Sequence, residues 1–251
     1  MRTSLAALAV TLLVAPATGL AVDLIWTNGA GGSWSTANNW SPNQVPQPAD
    51  RVFLTNAGAY VVVLTNTTMV NALFMGTPGG AQILTLASNA ILTVTVTCQL
   101  NGGSLQGAGQ LTVVSQMDWT AGRMFGPGIT RINSGAILNI NPGPSDSPRL
   151  AGRRLDNAGM LNWRGRGLAA DSGAVVNNLA SGVFDVHTNG ALSGSWIFSN
   201  AGLFRKSAGA GVFTLNGFFN NSNRVKTPAP ALFRKRPALE KIHEPESTPL
   251  V

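Results

Sequence analysis

The chain has 251 residues, enough for one substantial domain with a real core, and only 11% of them are charged, against roughly 25% in an average soluble domain. Glycine is abundant at 29 residues, and glutamate occurs only as Glu240, Glu244 and Glu246, which disfavours exposed helices and suits many short strands joined by turns. The net charge of +7 raises the question of an anionic polymer as partner, while the single cysteine, Cys98, excludes a disulfide framework within the chain.

In chain order, residues 1–21 read as a secretory signal peptide. Arg2 supplies the positive start, Ser4 to Ala15 an apolar run of about twelve residues, and Ala15-Pro16-Ala17 and Gly19-Leu20-Ala21 offer small residues for cleavage. That run is too short for a membrane-spanning helix of about 20 residues, and no later segment is long enough either. The expected location is therefore secreted or at the cell surface.

Residues 22–54 form an N-terminal module that carries Trp26, Trp34 and Trp40 among Gly, Ser and Asn, ending in the first strand at "DRVFL". A solenoid needs a cap over its raw first turn, and packed aromatics supply one. Tryptophans also stack on sugar rings, so Trp26, Trp34 and Trp40 are the candidate carbohydrate-binding residues.

Residues 55–222 repeat. "RINSGAILNI" from Arg131, "RLDNAGMLNW" from Arg154, "NLASGVFDV" from Asn178 and "IFSNAGLFRK" from Ile197 each place a small polar turn between alternating apolar runs. Their turn glycines, Gly135, Gly159, Gly182 and Gly202, lie 24, 23 and 20 residues apart, and Asn223 follows 21 further on. Asn can replace Gly at a left-handed turn position. The period predicts a β-helix in which each coil stacks on the next at ~4.8 Å. The aligned inward residues are expected to be Ile132, Leu155, Val176, Phe198 and Phe219, beside a corner ladder of Asn133, Asn157, Asn178, Asn200 and Asn221. The earlier half follows the same logic less regularly. Cys98, in the alternating "LTVTVTCQL", reads as a buried small hydrophobe.

Residues 223–251 are Pro-rich and charged and read as a disordered basic tail. The loss of the repeat at "NNSNRV" reads as a truncation or frame change. A tail of this kind is a place for salt-sensitive binding to anionic polymers, but nothing specifies a nucleic acid. The arginines Arg149, Arg153, Arg154, Arg164 and Arg166 read as ordinary solvated residues that could line one edge of the fold.

Chemistry is sparse. The carboxylates of the body are Asp23, Asp50, Asp118, Asp146, Asp156, Asp171 and Asp185. Asp156, Asp171 and Asp185 are out of phase with the coil, so no pair is placed for acid–base work on a glycosidic bond. Asp50 reads as a cap at the start of a strand. No His pair, Cys pair or Ca²⁺ nonapeptide is present, so no catalytic, cofactor-binding or metal-binding residue is assigned.

The tryptophan spacing W-x7-W-x5-W-S-P, the following "VPQPADRV", and segments such as "GAGQLTV", "INSGAILNI" and "FSNAGLFRKSAGAG" resemble bacterial secreted proteins with autotransporter-type or filamentous-haemagglutinin-like β-helical repeats. The resemblance spans roughly residues 22–222. It implies an all-β, right-handed parallel β-helix and a role in adhesion, although no translocator barrel is seen. The expected function is thus a non-enzymatic, exported, adhesin-like or structural module whose partners are surface glycans or cell-surface proteins. A carbohydrate-binding or carbohydrate-cleaving β-helix is the alternative.

Overall fold

The computed structural model describes residues 20–77, 80–143, 148–165 and 167–222, together with the backbone of two later strands, Val225–Lys226 and Phe233–Lys235. The chain is a β-solenoid of about 8 turns, and the one helical turn among the described residues is Ala37–Asn39. Each coil lays short strands on three faces. Each strand pairs in parallel with its equivalent one coil later, as Ile137–Ile140 does with Met160–Trp163 and that strand with Val183–Val186. Strands win because the sequence alternates: in Arg51–Leu54 and Ile137–Ile140 every second side chain is buried.

Register aligns like with like. On the first face Leu73, Cys98, Met117, Leu138, Leu161, Phe184 and Phe204 form one inward column. These positions lie 25, 19, 21, 23, 23 and 20 residues apart, so insertions are absorbed at the corners while the column is kept. The second face stacks Leu84, Leu105, Met124 and Leu150. Each fully buried aliphatic or aromatic side chain contributes about 1.5–3 kcal/mol. Cys98 sits 1% exposed between Leu73 and Met117, and burial, helped by the Asp118 charge, pushes its thiol pKa up to about 12. It is the small core hydrophobe the sequence predicts.

The third face stacks Leu92, Leu111, Thr130, Leu155, Val176, Phe198 and Phe219. Beside it runs Val70, Val94, Val113, Ile132, Asn157, Asn178, Asn200 and Asn221. Four of the five expected ladder asparagines are therefore in register. Asn133 is not: Ile132 occupies its place, and Thr130 takes the place expected for Ile132. The corner lengths explain the slip. Four residues separate Ile132 from Ile137, but two separate Asn157 from Met160, so aligning the turn glycines displaces that coil.

The glycines also work differently from expectation. Gly135 has φ +82 and open space around it. Gly159, Gly182 and Gly202 are not left-handed. A Cβ on each would lie 2.1, 2.3 and 2.2 Å from the carbonyl oxygens of Ala136, Asn157 and Gly182 in the coil below. Close stacking, not φ, demands glycine there. Asn223 lies outside the described residues, as does the stretch read as a signal peptide up to residue 19.

The first coil is closed by the tryptophan module. Trp40–Ser41 pairs antiparallel with Asp23–Trp26, the one antiparallel pairing among the described strands. Asp50 is 2% exposed, and its carboxylate accepts from the N–H of Val22 at 3.0 Å and of Gln47 at 2.8 Å, the cap expected of it. At the other end coiling continues past residue 222. Val225–Lys226 pairs in parallel with Leu203–Lys206, and Phe233–Lys235 with Phe213–Leu215, which corrects the expectation of disorder for those five residues.

Candidate functional site

Trp26, Trp34 and Trp40 are brought together, but inside the core, at 0, 1 and 2% exposure. Trp40 packs edge-on against Trp26 at 4.9 Å and against Trp34 at 5.0 Å, and Trp26 stacks on Tyr60 at 6.2 Å. The Trp26 indole donates to the Asn28 carbonyl and that of Trp40 to the Trp34 carbonyl. No ring leaves a face open to a sugar, so the cluster is a cap and not a stacking platform. The half-buried aromatic pair Phe53 and Phe74 is no platform either. Its rings stack on one another at 4.6 Å, with the Arg51 guanidinium beside both.

The outward side of the first face is different. Alternation turns two residues per coil outward, although neighbours cover Asn162 and Asp185. One row is Gln99, Asp118, Asn139, Asn162, Asp185 and Arg205, aligned by register. The other lies two residues further along each coil: Asn101, Thr120, Asn141, Arg164, His187 and Ser207. Between the rows lies an open groove of about 560 Å³ lined by Gln99, Asn101, Asp118, Thr120, Asn139, Asn141 and Arg164. The first row is tied along the solenoid axis. The Asn162 amide donates to Asn139 Oδ1 at 3.0 Å and the Asn139 amide to Asp118 Oδ1 at 2.8 Å, while Gln116 donates to Asp118 Oδ2 at 2.7 Å. Along the second row Thr120 donates to Asn101 Oδ1 at 2.8 Å.

Further along the same face, Asp185, His187 and Ser207 adjoin. His187 Nε2 lies 3.4 Å from Asp185 Oδ2, and His187 Nδ1 lies 3.5 Å from Ser207 Oγ. The residue types are those of acyl-transfer catalysis, but both separations exceed the roughly 2.6–3.2 Å of a nucleophile–base relay. Asp185 Oδ2 is also held by the Arg205 guanidinium at 2.6 Å. This cluster is an ion-paired anchor of the row.

The carboxylates are spread as the sequence predicts. Asp156 is outward on the third face, tied to Arg154 and Asn177, and Asp171 is on the second, tied to Arg149. Asp118 and Asp185 share a row but are three coils apart, about 14 Å at the usual strand spacing. Asp146 and Arg166 lie outside the described residues. Among the described residues no group of three or more His, Cys, Asp or Glu could hold a metal ion, and no helix is long and apolar enough to cross a membrane.

Two cations escaped sequence reasoning. Arg153 is fully buried at a corner. It donates to Thr130 Oγ1 at 2.9 Å and to the carbonyls of Ile129, Gly107 and Gly109 at 2.9, 3.2 and 3.3 Å, and burial pulls its pKa down to about 10. Lys206 is also buried, following Val186 in an inward column, with its ammonium on the carbonyls of Ala208 and Gly209. Nothing local in the sequence marks either residue. Arg149 and Arg154 are half-exposed and ion-paired, as solvated arginines should be.

Fold and face together define the class: a three-faced parallel β-solenoid with one outward face built as a hydrogen-bonded polar row. No family model, curated protein or solved structure matches the chain.

Proposed function

We propose that this protein is an exported, adhesin-like β-solenoid module of the cell surface or extracellular space. The observation that supports it is the inward column that runs on from the tryptophan cap through every coil despite local register shifts, which makes a stiff rod with broad lateral faces. The N-terminal signal-peptide pattern and the resemblance to autotransporter-type and haemagglutinin-like repeats support export and surface placement. The test has two arms. A bacterial host expressing the full chain should release it to the surface or medium, and beads coated with it should adhere to cells more than albumin-coated beads. Cytoplasmic retention together with adherence no greater than that of albumin-coated beads contradicts the proposal.

Carbohydrate recognition is the second reading, favoured by the polar groove of the first face. The same face supports binding over cleavage. Asp118 and Asp185, at about 14 Å, stand beyond the roughly 5–10 Å that paired carboxyls need on a glycosidic bond.

A further inference from the structure

We infer that the groove along the first face binds an uncharged linear polysaccharide lying parallel to the solenoid axis, with Asn141 and Arg164 as its principal exposed donors. The inference deepens the carbohydrate reading and rests on it.

Spacing carries the first part. The coils present Gln99, Asp118 and Asn139 in a row aligned by register, so similar polar chemistry recurs at each strand spacing of about 4.8 Å, with Asn101, Thr120 and Asn141 beside it in the groove. A matching ligand repeats its own polar groups along a line at a similar step. A chain of pyranose units does so. An extended peptide turns successive residues to opposite sides, so its like-facing groups recur only at about 6.6 Å, out of step with the coils.

Hydrogen-bonding capacity carries the second part. Amides both donate and accept, which suits hydroxyls, themselves donors and acceptors. The Asn162–Asn139–Asp118 chain uses one amide hydrogen of each asparagine and fixes the orientation of the row, leaving the second hydrogen of Asn139 for a ligand. Asn141 and Arg164 are exposed at the groove.

Charge selects within the class. The groove holds one carboxylate, Asp118, and one guanidinium, Arg164. A polyanion would meet Asp118 along the same line that brings it to Arg164, so the balance favours a neutral polymer.

The experiment is calorimetric titration of the full chain with soluble neutral polysaccharides (laminarin, xylan, galactomannan and mixed-linkage β-glucan) and with anionic polygalacturonate. At least one neutral polymer is expected to bind, with little dependence on salt. The double substitution Asn141→Ala, Arg164→Ala should weaken that binding about tenfold, the loss of one to two hydrogen bonds. Arg123→Ala, on the second face, should leave it unchanged. Both altered groove residues are exposed, and an unchanged circular dichroism spectrum and melting curve would confirm folding. Silence of every neutral polymer on the folded chain overturns the inference. So does binding that survives the double substitution, or salt-sensitive binding to polygalacturonate alone. Bead adherence that persists while the titrations stay silent would sink this inference and leave the adhesin-like rod standing. Absence of adherence together with cytoplasmic retention would sink both.

Discussion

The last inward column of the third face is aliphatic in its first half and amide in its second. Val70, Val94, Val113 and Ile132 give way to Asn157, Asn178, Asn200 and Asn221 at the same stacked position. The aliphatic half is held by non-directional burial. In the amide half, Asn157 donates to Asn178 Oδ1 at 2.8 Å, Asn178 to Asn200 Oδ1 at 2.7 Å and Asn200 to Asn221 Oδ1 at 2.7 Å. The same amides reach backbone carbonyls at the corner: Val183 from Asn157, Leu203 from Asn178, and Gly202 from Asn200. One backbone path therefore accepts two chemistries, and the second ties each coil to the next with a definite register. An amide in the aliphatic half, or an aliphatic residue in the amide half, should be costly for the same reason: a buried polar group loses its partner.

The largest expected effect breaks that contrast directly. Asn178→Val removes a buried amide from the middle of the ladder, orphans Asn200 Oδ1 and takes the acceptor away from the Asn157 amide, at a cost of about 3 kcal/mol. The reciprocal Val113→Asn places an amide between Val94 and Ile132 with no ladder partner and should cost about as much. Urea unfolding midpoints of the two variants provide the check. Next in size is Arg153→Met, which removes four hydrogen bonds at a buried corner in the aliphatic half. About 2 kcal/mol is expected, less than the bond count suggests, because the carbonyls of Gly107 and Gly109 keep backbone donors from Gly128 and Ile129.

The glycines sharpen the comparison. Gly182→Ala drives a methyl into the Asn157 carbonyl and the Asn178 side chain, and should melt lower than Gly135→Ala. At Gly135 the cost is the left-handed backbone alone, about 1 kcal/mol. Equal melting points would mean that coil-to-coil approach is not what selects glycine in the amide half.

The smallest effect concerns Cys98. Its thiol is raised from the ordinary 9.0 to about 12, so above pH 9 the unfolded chain releases a proton that the native chain keeps. Stability is whole below pH 9 and falls as pH rises. Tyr60, raised from 10.0 to about 12, joins only above pH 10, and Arg153, lowered to about 10, acts in the opposite sense there. Between pH 9 and 10 the native chain should thus lose at most about 1.4 kcal/mol that a Cys98→Ala variant does not lose. Parallel urea titrations at the two pH values measure it.

Much of this was legible in the sequence, because a solenoid writes its geometry as a period. The coil length, the inward alternation and the asparagines from Asn157 to Asn221 could all be read from spacing. The slip at Asn133 came from treating the turn glycines as fixed marks when corner lengths vary and Gly135 serves a different purpose from Gly182. The buried Arg153 and Lys206 were not legible, since their partners are carbonyl oxygens, which any residue supplies. The groove was hidden for a related reason. Its lining comes two residues at a time from successive coils, so no local stretch carries a motif, while the conspicuous Trp26, Trp34 and Trp40 turn out to fill the cap.

The most direct test of the register-locked rod is a double-substitution cycle between Asn178 and Asn200. Urea unfolding of Asn178→Val, Asn200→Val and the pair together gives their coupling. A hydrogen-bonded ladder predicts that the double variant loses about 1 kcal/mol less than the sum of the single losses, because the shared bond can be broken only once. Strict additivity would contradict the ladder, and with it the claim that these coils are locked to one another through their corner amides.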